Sequence, residues 1–263
     1  MLEKAYRDLR RGKSPSGKQL SGTYVGCVHT ALYGLFKHAV KYGLIASNPC
    51  DIAVPPKRDT REKQSLTQDA LRELITKLNP GEPNDIAIML CAMLGVRRGE
   101  VVALCWGDVD FDATTVSISK SLEEDGTPKP PKSRAGIRNL PMPELVADAL
   151  RTRKIAQRVS MPECLHQTDD TPIVSDVLGR RLLPHSLTTW WRRNRAAYGL
   201  PNLTIHELRH TYLSMMAMAG VHPKVMQELA GHASSQTTMD IYSHVNMGAK
   251  KAALNVFEDF IKA

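Results

Sequence analysis

The chain has 263 residues, 42% hydrophobic and 24% charged, enough for one or two domains with full cores. A formal net charge of +8 and an isoelectric point near 9.3 point to an anionic partner, most often nucleic acid. Five scattered cysteines (Cys27, Cys50, Cys91, Cys105, Cys164) argue against a disulfide framework or a structural zinc site and fit a reducing cytosol. The polar start MLEKAYRDLRRGK does not read as a secretory signal, and no run is apolar for long enough to span a bilayer. A cytoplasmic protein without a membrane partner is expected.

Taken in chain order, the apolar positions Val28, Ala31, Leu32, Leu35, Phe36, Ala39 and Val40 predict a helix from Ser21 to Tyr42, stopped by Gly43 and Asn48-Pro49. The stretch VPPKRDTREKQS (54–65) carries two prolines and then aperiodic charge, which reads as a linker. Thr67 can cap the next helix. Further helices are expected near 67–78, 84–95, 98–104, 143–158 and 185–198, and repeatedly from Thr204 onward. TTVSIS (114–119) alternates at period two and reads as a strand, with a second short strand around Arg138 to Leu140. The fold class is therefore mainly α with a small antiparallel β-sheet. Charge is unevenly placed: residues 1–63 hold twelve Lys or Arg against five Asp or Glu, whereas the other 200 hold 23 against 22. Most salt-sensitive binding should reside in that basic segment.

Chemistry concentrates late in the chain. Thr204 and Glu207 have capping-box spacing, which starts a helix at about residue 205. His206 and Arg209 then lie three apart on one face, near a helix end that favours anions. Gly231 stops the following segment and presents His232, and a short helix beyond it carries Tyr242. Earlier, the apolar helix over 85–94 ends at Gly95, so Arg97 emerges just past a buried element. Taken singly, each of these residues has an ordinary reading as a surface cation, a cap or a packed ring.

The joint pattern does not. G-x-R-x-x-E at 95–100, H-x-x-R-H-T at 206–211, G-H at 231–232 and I-Y-S-H at 241–244, with a lysine in PPKSRAG, resemble the tyrosine recombinase (phage integrase) family. The resemblance covers roughly residues 64 to 255 and, more weakly, 20 to 57. It implies a partial helical core-binding, DNA-binding domain over 1–57, a linker over 58–65 and a catalytic domain over 66–255. A C-terminal helix over 248–263 would dock on a neighbouring protomer or pack on its own domain. By resemblance, Tyr242 is the nucleophile that forms a 3′-phosphotyrosyl bond, and Arg97 and Arg209 clamp the non-bridging oxygens. His232 donates a further hydrogen bond, Lys132 protonates the leaving 5′-oxygen, His206 assists proton transfer at the tyrosine, and Glu100 supports Arg97. Lys129 stays open as the alternative lysine. No metal or cofactor is implied. The implied partners are duplex DNA attachment sites, a homotetramer in the synapse (monomer or weak oligomer when free) and accessory DNA-bending or excisionase proteins.

Family members usually carry a longer core-binding domain, so the chain is N-terminally truncated or that domain is abbreviated. Three other readings stay in view. A truncated integrase relic would bind DNA without completing strand exchange, and a type IB topoisomerase-like enzyme would share the chemistry but not the site specificity. HELRH at 206–210 also matches the H-E-x-x-H signature of zinc metallopeptidases, although Arg209 would then sit within a turn of a dication. Neither Arg97 nor Arg209 reads as a core residue, so replacing either is expected to leave folding little changed.

Overall fold

The computed structural model describes residues 1–57, 59, 65–130, 136–231 and 238–239. It divides into two compact units, Met1–Glu62 and Lys63–Ala263.

The first unit holds α1 (Leu2–Arg10) and α2 (Gly22–Lys41). Ser21 caps α2, its side chain accepting from the Tyr24 N–H at 3.1 Å. The sequence reading left α1 out, although Leu2, Ala5, Tyr6 and Leu9 recur at helical spacing; of its residues only Tyr6 is buried. The Tyr6 hydroxyl hydrogen-bonds His29 Nδ1 at 2.9 Å, which ties the two helices together. Asp59 accepts from the Gly22 N–H at 2.5 Å and from Arg10, closing the end of the unit onto the start of α2. Buried apolar side chains here are few: Tyr6, Val25 and Cys50.

The second unit is built around α4 (Pro83–Met93), in which every residue from Asp85 to Ala92 is buried. A helix that is apolar all round has to be enclosed, and α3 (Gln68–Lys77), α6 (Glu144–Ser160), α7 (Pro184–Asn194) and α8 (Ile205–Met218) enclose it. Thr67 caps α3 by accepting from the Ala70 N–H at 3.2 Å. A three-stranded antiparallel sheet has the order β1 (Val109–Asp110), β2 (Thr115–Ile118), β5 (Arg138–Pro141), and a small hairpin pairs β3 (Ser121–Leu122) with β4 (Pro128–Lys129). Two-residue strands carry no readable period, so β1, β3 and β4 were not expected. The helix expected over 98–104 shrinks to the single turn α5 (Arg98–Val101), because the chain must leave the helix for Cys105 to bridge Pro172. The expected 185–198 helix ends at Asn194.

α9 (Pro223–Ala230) packs on α8 through Leu213, Ala217, Met226 and Ala230, a small second core. It ends where Gly231 adopts the left-handed conformation (φ 64°), the glycine stop that lets the chain turn away without a Cβ penalty. No described helix is long and apolar enough to cross a membrane.

Candidate active site

Gly95, at φ 61°, reverses the chain after α4 and stands against the Tyr212 ring, where any Cβ would overlap. That turn delivers Arg97 to the N-cap of α5. Glu100, in the same turn, reaches back to accept the Arg97 backbone N–H at 2.9 Å with Oε2. Its Oε1 accepts from Arg97 Nη1 at 2.6 Å. The carboxylate thus fixes both ends of the residue expected to need it. Arg97 keeps 41% of its side chain exposed while the Glu100 side chain keeps 3%, so the guanidinium can meet a ligand and its anchor cannot.

Arg209 is buried, contrary to the expectation that it lies outside the core. Its Nη1 donates to the Gly95 carbonyl and its Nη2 to the Ala230 carbonyl at 2.5 Å. The physical reason lies at the end of α9. The last carbonyls of a helix lack partners and carry its negative end, and here three consecutive ones are taken by arginines. Leu229 accepts from Arg138 Nε at 2.9 Å, Ala230 from Arg209, and Gly231 from Arg97 Nη2 at 2.9 Å.

Arg138 is the member that the sequence reading missed. It appeared only as the first residue of a strand. A signal was present: residues 138 and 140 share one face of β5, and that face is buried in the structure. An arginine on the side of Leu140 needs a partner. It has one in Glu100, at 2.9 Å to Oε2 and 3.3 Å to Oε1, and it also donates to the Gly136 carbonyl at 3.1 Å.

Three guanidinium groups around one carboxylate leave a surplus of two positive charges in this cluster. Burial alone would raise the Glu100 carboxyl, but hydrogen bonds and charge from Arg138, then those of Arg97, outweigh it and hold it down at about 2. Burial, then the like charges of Arg97 and Arg138, pull the Arg209 guanidinium down to about 9, so it stays charged at neutral pH. Burial and the negative charge of Glu100 push the Cys91 thiol up to about 12, leaving it an inert packed residue. A buried, immobile excess of positive charge is suited to an anion whose own charge grows during reaction.

The remaining expected residues divide by position. His206 is exposed on the first turn of α8, three residues before Arg209. Lys129 lies in β4 and pairs with Glu123 at 2.6 Å. Lys132, His232, Tyr242 and the C-terminal helix lie outside the described residues. His232 follows Gly231 directly in the chain. For the HELRH motif, Glu207 is engaged as a cap: its Oε2 accepts the Thr204 N–H at 2.7 Å and the Thr204 hydroxyl at 2.8 Å. Among the described residues, no three His, Cys, Asp or Glu side chains are grouped to hold a metal.

Residues 64–249 match the family described as the phage integrase family. The chain belongs to the phage integrase family. All of Arg97, Glu100, Lys132, His206, Arg209, His232 and Tyr242 fall inside the matched stretch. The tyrosine recombinase XerC-like protein of Caldanaerobacter subterraneus is 24% identical over 261 residues, covering 91% of this chain and 66% of the relative. The ICEBs1 integrase of Bacillus subtilis is 24% identical over 272 residues, covering 97% of this chain and 70% of the relative. The transposase from transposon Tn916 of Enterococcus faecalis is 26% identical over 242 residues, with 85% and 59% coverage. The chain thus spans roughly six- to seven-tenths of the length of these curated relatives. Among solved structures, the Tn1549 transposon integrase in complex with a circular intermediate DNA superposes with a TM-score of 0.78 at 23% identity, covering 97% of this chain and 85% of that one. A lambda integrase dimer bound to a core site gives 0.58 at 18% identity, with 92% and 78% coverage. The mainly α fold with its small antiparallel sheet is thus the integrase fold.

Proposed function

We propose that this integrase-family chain is a site-specific DNA recombinase that cuts and rejoins duplex DNA and supports integration or excision of a mobile element. The observation that carries the reading is the arginine cluster at the end of α9. Arg97 and Arg209 are held by fixed partners, Glu100 and the carbonyls of Gly95, Ala230 and Gly231. Donors held in this way cost no reorganisation when charge develops on the phosphate.

In the reaction, the Tyr242 oxygen attacks the scissile phosphorus and passes its proton toward His206. The bond from phosphorus to the 5′-oxygen breaks, and that oxygen leaves with a proton from Lys132. A phenol near pKa 10 needs such help at neutral pH. Arg97, Arg209 and His232 hold the non-bridging oxygens throughout. A 5′-hydroxyl then attacks the phosphotyrosine in reverse and restores the strand, so neither a metal nor a nucleoside triphosphate enters the balance. A 1–57 core-binding domain, a 66–255 catalytic domain and a C-terminal helix docking between protomers of a tetrameric synapse complete the proposal. The DNA would be met in the cytoplasm.

The test uses nicked suicide duplexes tiled across the DNA that flanks the chain's own gene. Wild type should leave a covalent protein–DNA adduct on one of them, and Tyr242→Phe should bind that duplex without the adduct. An adduct surviving in Tyr242→Phe removes this residue as nucleophile. Binding by the wild type with no adduct on any duplex supports the DNA-binding relic instead.

A further inference from the structure

We propose that Arg138 is a positioning residue for the reaction above: it holds Glu100 so that Glu100 can hold Arg97, and it ties the ends of two more site segments into the same cluster. This rests on the recombinase reading but adds a residue and a role to it. The geometry is specific. Arg138 meets both oxygens of Glu100, at 2.9 and 3.3 Å, and those two oxygens also take the side chain and the backbone N–H of Arg97. Neither carboxylate oxygen can turn without releasing one arginine or the other.

The remaining bonds reach outward. Nη1 donates to Gly136, the residue that follows the 131–135 stretch holding Lys132. Nε donates to Leu229, three residues before His232. One buried side chain therefore braces the Arg97 turn, the exit of the lysine segment and the end of α9. Its charge matters as well. Without it, Arg97 and Glu100 would form a neutral pair, and the cluster's surplus would fall from two charges to one. A strand residue needed only for packing could be apolar, as Leu140 is on the same face of β5.

Wild type, Arg138→Gln and Arg138→Lys are compared by single-turnover cleavage of the nicked duplex that gives the adduct, with rates taken per folded molecule and thermal midpoints recorded. Arg138→Gln should cleave at least about tenfold more slowly, less than the loss from removing a donor itself, while binding that duplex as wild type does. Arg138→Lys keeps the charge but not the fork, so it should recover only part of the rate.

A purely structural residue would not alter the pH profile. Glu100 is faced by Arg97, Arg138, Arg209 and Cys91. Once Arg138 is gone, burial is less opposed, so the acid-side fall of cleavage by Arg138→Gln should begin at higher pH than in wild type. Adding Glu100→Gln should abolish that shift. The contact can also be read without DNA. The Arg97 guanidinium, followed by nitrogen NMR, should rotate slowly in wild type and faster in Arg138→Gln. Equal rates per folded molecule with superimposed pH profiles would overturn the role, as would equal Arg97 rotation in the two proteins. A wild type that forms no adduct overturns the function reading itself, which is a separate outcome.

Discussion

Two of the arginines buried among the described residues of the second unit differ in what surrounds them, and the difference teaches what burial alone does not. Arg153 in α6 and Arg209 in α8 are 4% and 3% exposed, and both donate to backbone carbonyls. Arg153 gives Nε to Ile173, Nη1 to Gly81 and Nη2 to Ser175, so all three nitrogens clip loop backbone. Burial lowers its pKa, and Glu82 acts the opposite way. Arg209 meets burial and, in addition, the like charges of Arg97 and Arg138. A lone buried cation that satisfies carbonyls is a clip. Buried cations kept beside a half-exposed third against their repulsion are a binding device, because a ligand relieves what the fold tolerates.

The largest expected effect follows from that contrast. Arg209→Ala should lower cleavage by at least about a hundredfold, the loss expected for one transition-state donor. It should also destabilise the fold, since the Gly95 and Ala230 carbonyls lose their donor; each orphaned group costs about 1–3 kcal/mol. Both follow from one preparation assayed for adduct formation and for urea unfolding. A variant that cleaves at near the wild-type rate would break the comparison.

Arg153→Met is the complementary test. Three carbonyls lose donors, so the free energy of unfolding should fall by a few kcal/mol, on the order of 1–3 per unsatisfied group and less than additive. The cleavage rate per folded molecule should match wild type. A selective loss of cleavage would mean that the α6 clip reaches the chemistry, and the distinction between the two arginines would fail.

Much of this contrast was out of reach of the sequence, for a physical reason. Local pattern made the frame legible: the apolar run of α4, the period-two β2, the Thr67 cap and the Thr204–Glu207 capping box all appear where spacing put them. The motif residues Arg97 and Glu100 were legible together because they are three apart on one turn. The burial of Arg209 was not, since it depends on Gly95 and Ala230, 114 and 21 residues away. Arg138 was missed in the same way: its partners Glu100 and Leu229 stand 38 and 91 residues away in the chain. α1 was legible in the spacing of Leu2, Ala5, Tyr6 and Leu9; what spacing did not show is that Tyr6 meets the His29 ring on another helix.

A third prediction separates the two sites by pH. Glu100 is depressed from 4.5 to about 2 in the fold. A carboxylate with a lowered folded pKa contributes stability above its unfolded value and loses it as pH falls through the folded one. The Arg138–Glu100–Arg97 end should therefore lose on the order of 3 kcal/mol between about pH 4.5 and pH 2. Urea midpoints measured down that range should drop steeply in wild type. Arg153→Met, which removes donors to backbone carbonyls, should start lower and run parallel. Glu100→Gln should flatten the acid limb, and an unchanged slope in that variant would remove Glu100 as its source.

The smallest effect concerns how the α8 end is aimed. Thr204 accepts the Glu207 N–H at 3.3 Å and donates its hydroxyl to Glu207 Oε2, while its own N–H goes to the same carboxylate. Thr204→Ala removes the side-chain half of this box and should cost about 1 kcal/mol. His206 and Arg209 follow on the first turns of the same helix, but they depend on the cap to different degrees. Arg209 is pinned by the Gly95 and Ala230 carbonyls and should hold its place. His206 lies on the first turn, next to the cap. Cleavage by Thr204→Ala should thus fall only severalfold, and the Arg153 clip should be untouched. A drop as large as that of Arg209→Ala would show that the arginine's seat depends on the cap, and the carbonyl pins would then be a consequence of the helix start instead of its support.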